Sequence, residues 1–224
     1  MSSPVDICNQ ALALLGDAAR VTSIDPPDQS AQAGHCARFY PISVLSLQEM
    51  HNWGFCTVRE PLAEVDNPSS TWQYAYAAPS AIINYLAVLD PQAADDIEVG
   101  VPVPQTYPGM TSIGAAVYTA QPFQVETSLV DGSDLILTNQ ADAVLRYTRY
   151  QADSTKFSPL FVETLSMLLA AKLAGPLIKG AEGRKASLDI MKTFFSWWKE
   201  QAVESDSNQR RTVAVPAATW ITNR

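Results

Sequence analysis

The chain has 224 residues, 47% hydrophobic and 17% charged, which is enough apolar material for a packed core and excludes disorder throughout. Fifteen Lys and Arg against 23 Asp and Glu give a formal charge of −8, unevenly spread: from Glu60 to Leu145 there are 11 acidic residues and no Lys, Arg or His. That stretch cannot neutralise phosphates, so nucleic-acid reading and attraction to anionic lipid are not expected of it. Residues 172–224 carry 9 basic and 5 acidic side chains, so an anionic partner would be met there.

The N-terminal 55 residues read as two helices. The first opens with Ser3 as N-cap and Pro4 at the first helical position, places Ile7, Ala11, Leu14 and Leu15 on one face, and stops at Gly16. After the connector Asp25-Pro26-Pro27-Asp28, a second helix starts near Ser30 with Ala33, Ala37, Tyr40, Val44 and Leu47 as its stripe. Pro41 lies inside it and predicts a kink.

Between Trp53 and Tyr150 the texture is β-rich. Strands are predicted at 54–58, 72–76, 82–88, 116–118 with 123–127, 135–138 and 144–150, the last alternating Leu145 and Tyr147 with a wetter face. Pro102, Pro104, Pro108, Gly109 and Gly114 mark a long loop, and long structureless loops in compact domains are often functional.

Helical signals return at Ser158-Pro159. The run Leu160 to Ile178 carries Glu163 and Lys172 and holds Gly175-Pro176, which suits a buried central helix better than a membrane span. After Gly180 to Gly183 a last helix carries Leu188, Met191, Phe195, Trp198 and Ala202. The pattern stops at Glu204, and 205–224 reads as an extended arm whose apolar residues lack a core. The fold class expected is therefore α+β: an antiparallel helix bundle from N- and C-terminal helices (1–55 and 153–204), a β-rich insertion (56–152), and the arm.

Chemistry is sparse. The chain has no Walker loop, no G-x-G-x-x-G turn and no G-x-S-x-G elbow. His35 and Cys36 are adjacent on a helix and cannot share a metal from it, so neither a metal nor another cofactor is expected, and no catalytic residue is assigned. Asp95, Asp96 and Glu98 with the Trp72, Tyr74 and Tyr76 stripe leave open a carbohydrate hydrolase or a sugar-binding tail module; a solvated acidic turn and sheet packing are the commoner uses of such residues. No basic segment precedes the first apolar run, so a secretory signal is not expected. The scattered Cys8, Cys36 and Cys56 read as reduced thiols in the cytoplasm.

In the arm, Arg210 and Arg211 precede Val213 and Val215, then Trp220 and Ile221. An anchoring Trp with β-branched neighbours is a composition typical of partner contacts.

The order of several short motifs resembles the head-to-tail adaptor of short-tailed bacteriophages, the tail tubular protein A family. Asn9-Gln10-Ala11-Leu12 to Leu15-Gly16 resembles its opening helix. Ala33, Cys36, Phe39-Tyr40-Pro41, Leu47 and Trp53-Gly54-Phe55 with Arg59 and Leu62 resemble its second helix and W-x-F turn. Tyr74-Ala75-Tyr76 with Pro79 is similar to its Y-x-Y-x-x-P strand start. Leu137-Thr138-Asn139, Leu145 to Tyr147, Asp153, Phe157 to Phe161 and Leu165 to Ala174 follow in the family's order. The likeness covers roughly residues 5 to 180 and omits the 93–114 loop and the arm.

What the resemblance implies is a structural virion protein and not an enzyme. Twelve copies would form a homo-oligomeric ring between the portal protein and the tail nozzle protein, at the portal vertex of the virion. DNA would pass through the lumen without being held, and no membrane is involved. Assembly would take place in the host cytoplasm, and the arm, through Arg210, Arg211, Val213, Val215, Trp220 and Ile221, would reach the portal. An acidic subunit suits such a conduit, because carboxylates facing the lumen repel phosphates.

Overall fold

The computed structural model describes residues 2–18, 20–91, 121–129 and 132–209. Within them the chain is α+β, with helices and antiparallel strands divided between two compact units. The helical unit comprises residues 2–57 and 149–209, and the described residues of Val58–Thr148 form the β-rich unit. Residues 149–152, expected with the β-rich segment, belong to the helical unit. Buried Gln48 holds them there: its side-chain amide donates to the Gln151 carbonyl (2.8 Å) and accepts from the Gln151 N–H (3.0 Å).

Helix α1 (Pro4–Leu14) starts where the local signals put it. Ser3 Oγ accepts from the Asp6 N–H while the Asp6 carboxylate accepts from the Ser3 N–H, a reciprocal capping box. Its buried face is Ile7, Cys8, Ala11 and Leu12. Leu14, expected on that face, is exposed: at 3.6 residues per turn it falls about a quarter-turn from the line through Ala11 and Leu15. Beyond the helix, Asn9 binds the Val21 backbone in both directions (2.9 and 2.8 Å) and fixes the connector.

Helix α2 (Ala31–Glu49) is capped by Ser30 and runs unbroken through Pro41, where a kink is predicted. It buries Ala33, Cys36, Tyr40, Val44 and Leu47. Gly54–Cys56, predicted to begin a strand, is instead a 3-10 turn, because the Cys56 N–H donates back to the Trp53 carbonyl.

The β-rich unit holds β1 (Thr57–Pro61), β2 (Glu64–Val65), β3 (Tyr74–Ala77), β4 (Ile82–Leu89), β5 (Phe123–Thr127), β6 (Asp134–Thr138) and β7 (Val144–Arg149). One sheet runs β2-β3-β6-β5, antiparallel throughout, with Tyr76 and Val125 both opposite Ile136; the other runs β1-β7-β4. Tyr76, Val88, Ile136, Ala143, Leu145 and Tyr147 form its core. Leu145 and Tyr147 are buried and Val144 and Arg146 half-buried, as the alternation predicts; Thr148 is buried as well, its hydroxyl accepting from the Asn84 N–H. The 93–114 loop and the strand predicted at 116–118 lie outside the described residues.

Helix α3 (Pro159–Ile178), capped by Ser158, is the centre of the helical unit and packs against α1, α2 and the C-terminal helices. Among the described residues it is the one helix long and apolar enough to cross a membrane, and its burial is that of a core helix. A fully buried Leu contributes about 1.5–3 kcal/mol relative to exposure. Leu165, Leu169 and Leu173 each make that contribution here.

Helix α4 (Gly180–Asp189) follows Lys179, which sits at φ 63°. Gly183 is therefore inside a helix rather than part of a break. It faces α3 so closely that a Cβ would lie 2.8 Å from the Ala174 carbonyl oxygen. A π-helical segment, Ile190–Phe195, joins α4 to α5 (Ser196–Asn208). Its wider turn shifts the helix phase, so Phe195 and Ala202 are buried as predicted whereas Leu188 is exposed. The helix also continues past Glu204, so 205–208, expected in the arm, are helical.

Candidate functional site

The predicted partner-binding residues Arg210, Arg211, Val213, Val215, Trp220 and Ile221 lie outside the described residues, as do Asp95, Asp96 and Glu98. What the structure shows is the last turns of α5, which precede the predicted arm in sequence, and the outer faces of the helical unit.

Those last turns are held by Asp206 on α5. This carboxylate is 8% exposed, accepts from the Gly54 N–H (2.9 Å) and lies 3.1 Å from His51 Nε2. Its partners sit on the turn after α2, and that turn is in turn fixed by Trp53. The Trp53 indole is fully buried, donates to the Leu47 carbonyl (2.8 Å), and packs edge-on against Phe161 at 4.9 Å. The W-G-F tripeptide quoted for the resemblance thus receives a physical role: Trp53 anchors the turn and Gly54 presents an amide to the C-terminal helix. Adding a Cβ at Gly54 would bring it within 3.3 Å of Asp206 Oδ1. Asp206 was missed in sequence because an acidic residue in a polar run carries no local mark of burial.

The outer faces are unusual for a unit with a closed core. On α2, Arg38, Pro41, Ile42, Leu45 and Glu49 are all exposed and follow the helical repeat down one side, with Ile42 at 56% and Leu45 at 46%. On the π segment and α5, Phe194 (52%) and Trp197 (53%) are exposed beside buried Phe195 and half-buried Trp198. Lys192 precedes them, and Glu200 and Glu204 continue the face of Trp197 at i+3 and i+7; all three charged residues are exposed. Among the described residues of this unit the remaining exposed large apolar side chains are Leu14, Met50, Ile178, Leu188 and, on the segment before α3, Tyr150. The first three lie at helix ends and Leu188 stands among charged residues of α4. Single exposed residues of that kind are ordinary, whereas apolar side chains grouped on a helix face mark contact sites.

The carbohydrate alternative loses its aromatic platform. Trp72 precedes β3 instead of lying in it, and Tyr76 is buried, its hydroxyl donating to the Gln140 carbonyl at 2.8 Å. Tyr74 stacks on Tyr76 at 6.3 Å, as sheet packing requires. Among the described residues no group of three or more His, Cys, Asp or Glu is placed to hold a metal ion.

Cys8, Cys36 and Cys56 are free and buried. The Cys8 thiol hydrogen-bonds to Cys36, which raises Cys8 and lowers Cys36. Burial first, and the nearby Asp206 charge second, push Cys56 up to about 12. Because all three are buried, a thiol reagent at pH 8 is expected to titrate none of them in the native protein, the lowered Cys36 included, and all three in denaturant. Rapid native labelling of even one would contradict this packing. Compared with models of protein families and with curated proteins, the chain matches neither.

Proposed function

We propose that the protein is a structural head-to-tail adaptor of a short-tailed phage. In this reading the helices form an antiparallel bundle with the β-rich unit inserted, and about twelve copies build a ring between portal and tail nozzle. The bundle forms the ring wall, the residues beyond Gln209 reach the portal, and DNA passes through the lumen unheld. The observation that carries the reading is the pair of exposed apolar helix faces on a unit whose core is already closed, since such faces ask for a protein partner and not a small ligand. The ordered motifs supply the identity of the assembly, and the uncompensated acidity of 60–145 suits a conduit that must not bind what moves through it.

Light scattering or native mass spectrometry, on the chain alone and mixed with portal rings of its phage, tests this. The expected species is a ring of about twelve copies, free or portal-bound. A chain that stays monomeric beside portal rings overturns the proposal. Truncation after Gln209 is expected to leave the helical unit folded and abolish portal attachment. Truncation after Glu204 is expected to destabilise the unit as well, because it removes Asp206. Portal attachment unchanged after the Gln209 truncation would refute the role given to the arm.

A further inference from the structure

A cyclic ring needs two different faces on every copy, one meeting the other on its neighbour. The helical unit carries two apolar helix faces, and their charges say how they fit. The α2 face runs from Arg38 through Pro41, Ile42 and Leu45 to Glu49, positive at its N-terminal end and negative at its C-terminal end. At 1.5 Å per residue its charged ends are about 16 Å apart. The second face runs from Phe194 and Trp197 to Glu200 and Glu204 and is negative at its C-terminal end; Lys192, two residues before Phe194, lies on the other side of the helix.

We infer that the α2 face of one copy docks antiparallel on the π–α5 face of the next copy, as the repeating contact of the ring. The inference rests on the adaptor reading and names the surfaces that reading requires. Antiparallel docking brings Arg38 to Glu200 and Glu204 and seats Trp197 opposite Leu45. Parallel docking would instead set Glu49 against Glu204, and such a like-charge juxtaposition is strongly disfavoured at an interface. The side chains are also complementary in size. The α2 face has no aromatic and is lowered by Pro41 and, a turn before Arg38, by exposed Gly34, whereas the other face projects Phe194 and Trp197. Phe194 and Trp197 form one i,i+3 pair and Phe195 and Trp198 the next, one residue on, so the first pair points outward while the second stays with the core.

Full-length chains carrying Leu45→Cys and Trp197→Cys are made separately, mixed, and oxidised with diamide. The native cysteines are buried, so the introduced thiols report the contact. Both substituted residues are exposed, and retained far-UV circular dichroism checks the fold. The mixture is expected to yield at least ten times more disulfide-linked dimer than either variant alone. It should also exceed a mixture of Leu45→Cys with Leu129→Cys, an exposed site on the β-rich unit, by a similar factor. Equal linking by either variant alone would show a two-fold contact of like faces and overturn the inference, as would linking no better than the Leu129 control. If the unsubstituted chain still forms a ring in either case, the pairing of faces fails while the adaptor reading stands. If it forms no ring, free or on portal, both fail.

Discussion

Trp53→Ala is expected to lower the unfolding free energy of the helical unit by about 3–5 kcal/mol, the range for truncating a fully buried Phe or Trp. The indole has no exposed surface, and it touches His51 (4.8 Å), Phe55 (6.0 Å) and Phe161 (4.9 Å) at once. Its loss opens a cavity where the turn after α2 meets α3, and it strips the Leu47 carbonyl of its donor. Trp53→Phe keeps most of the apolar contact but not the N–H, so its cost is expected nearer the about 1–3 kcal/mol of an unmet buried group. Urea unfolding followed by far-UV circular dichroism measures both. A loss under about 1 kcal/mol for the alanine variant would show that the turn is held by something other than the indole.

Asp206→Ala comes second, at about 1.5–3 kcal/mol, the range for hydrogen bonds to a charged group. The carboxylate joins the last turns of α5 to Gly54 and His51, so its removal releases the C-terminal end of that helix. Hydrogen exchange at the amides of α5 is expected to accelerate in this variant while α3 remains protected. Asp206→Asn, which keeps an acceptor for the Gly54 N–H, is expected to recover part of the loss. Under the adaptor reading, portal attachment weakens in the order Asp206→Asn, then Asp206→Ala, since a frayed helix end orders the arm less well. Unchanged exchange in α5 would mean that the carboxylate does not fasten the helix.

How much was legible follows the range of each interaction. The starts of α1 and α3 could be read from Ser3-Pro4 and Ser158-Pro159, because a cap is a contact among residues three apart. Strands β4, β5, β6 and β7 could be read within a residue or so, because a period of two and flanking breakers are local patterns. The misreadings share a different character. Gly183 reads as a breaker, yet its lack of a side chain serves close approach to α3. Leu188 reads as core only if the helix keeps an α period, which the π segment interrupts. Trp72, Tyr74 and Tyr76 read as one stripe, yet β3 begins at Tyr74 and takes Tyr76 into the core.

For the site the division is sharper. The arm was expected from apolar residues without a periodic partner, and beyond Gln209 it lies outside the described residues. Asp206 was not legible, because burial of a carboxylate depends on a glycine amide and a histidine more than 150 positions away. The α2 face was hidden by a count of hydrophobic residues alone, since Ile42 and Leu45 are as apolar as Val44 and Leu47 and differ only in the side from which neighbours approach.

The sequence by itself determined the element types, the helical caps, the β-rich middle, and a charge distribution in which positive residues are absent from 60–145 and gathered beyond 172. These are properties of composition and of neighbours within one turn or one strand, and they need no fold to exist. The tertiary structure decided which apolar residues are core and which are surface, that Gly54 and Asp206 meet, and that Trp197 stays outside while Phe195 is covered. Each of those depends on where α3 lies relative to residues far away in the chain, and side chains separated by so many positions carry no trace of one another until packing brings them together.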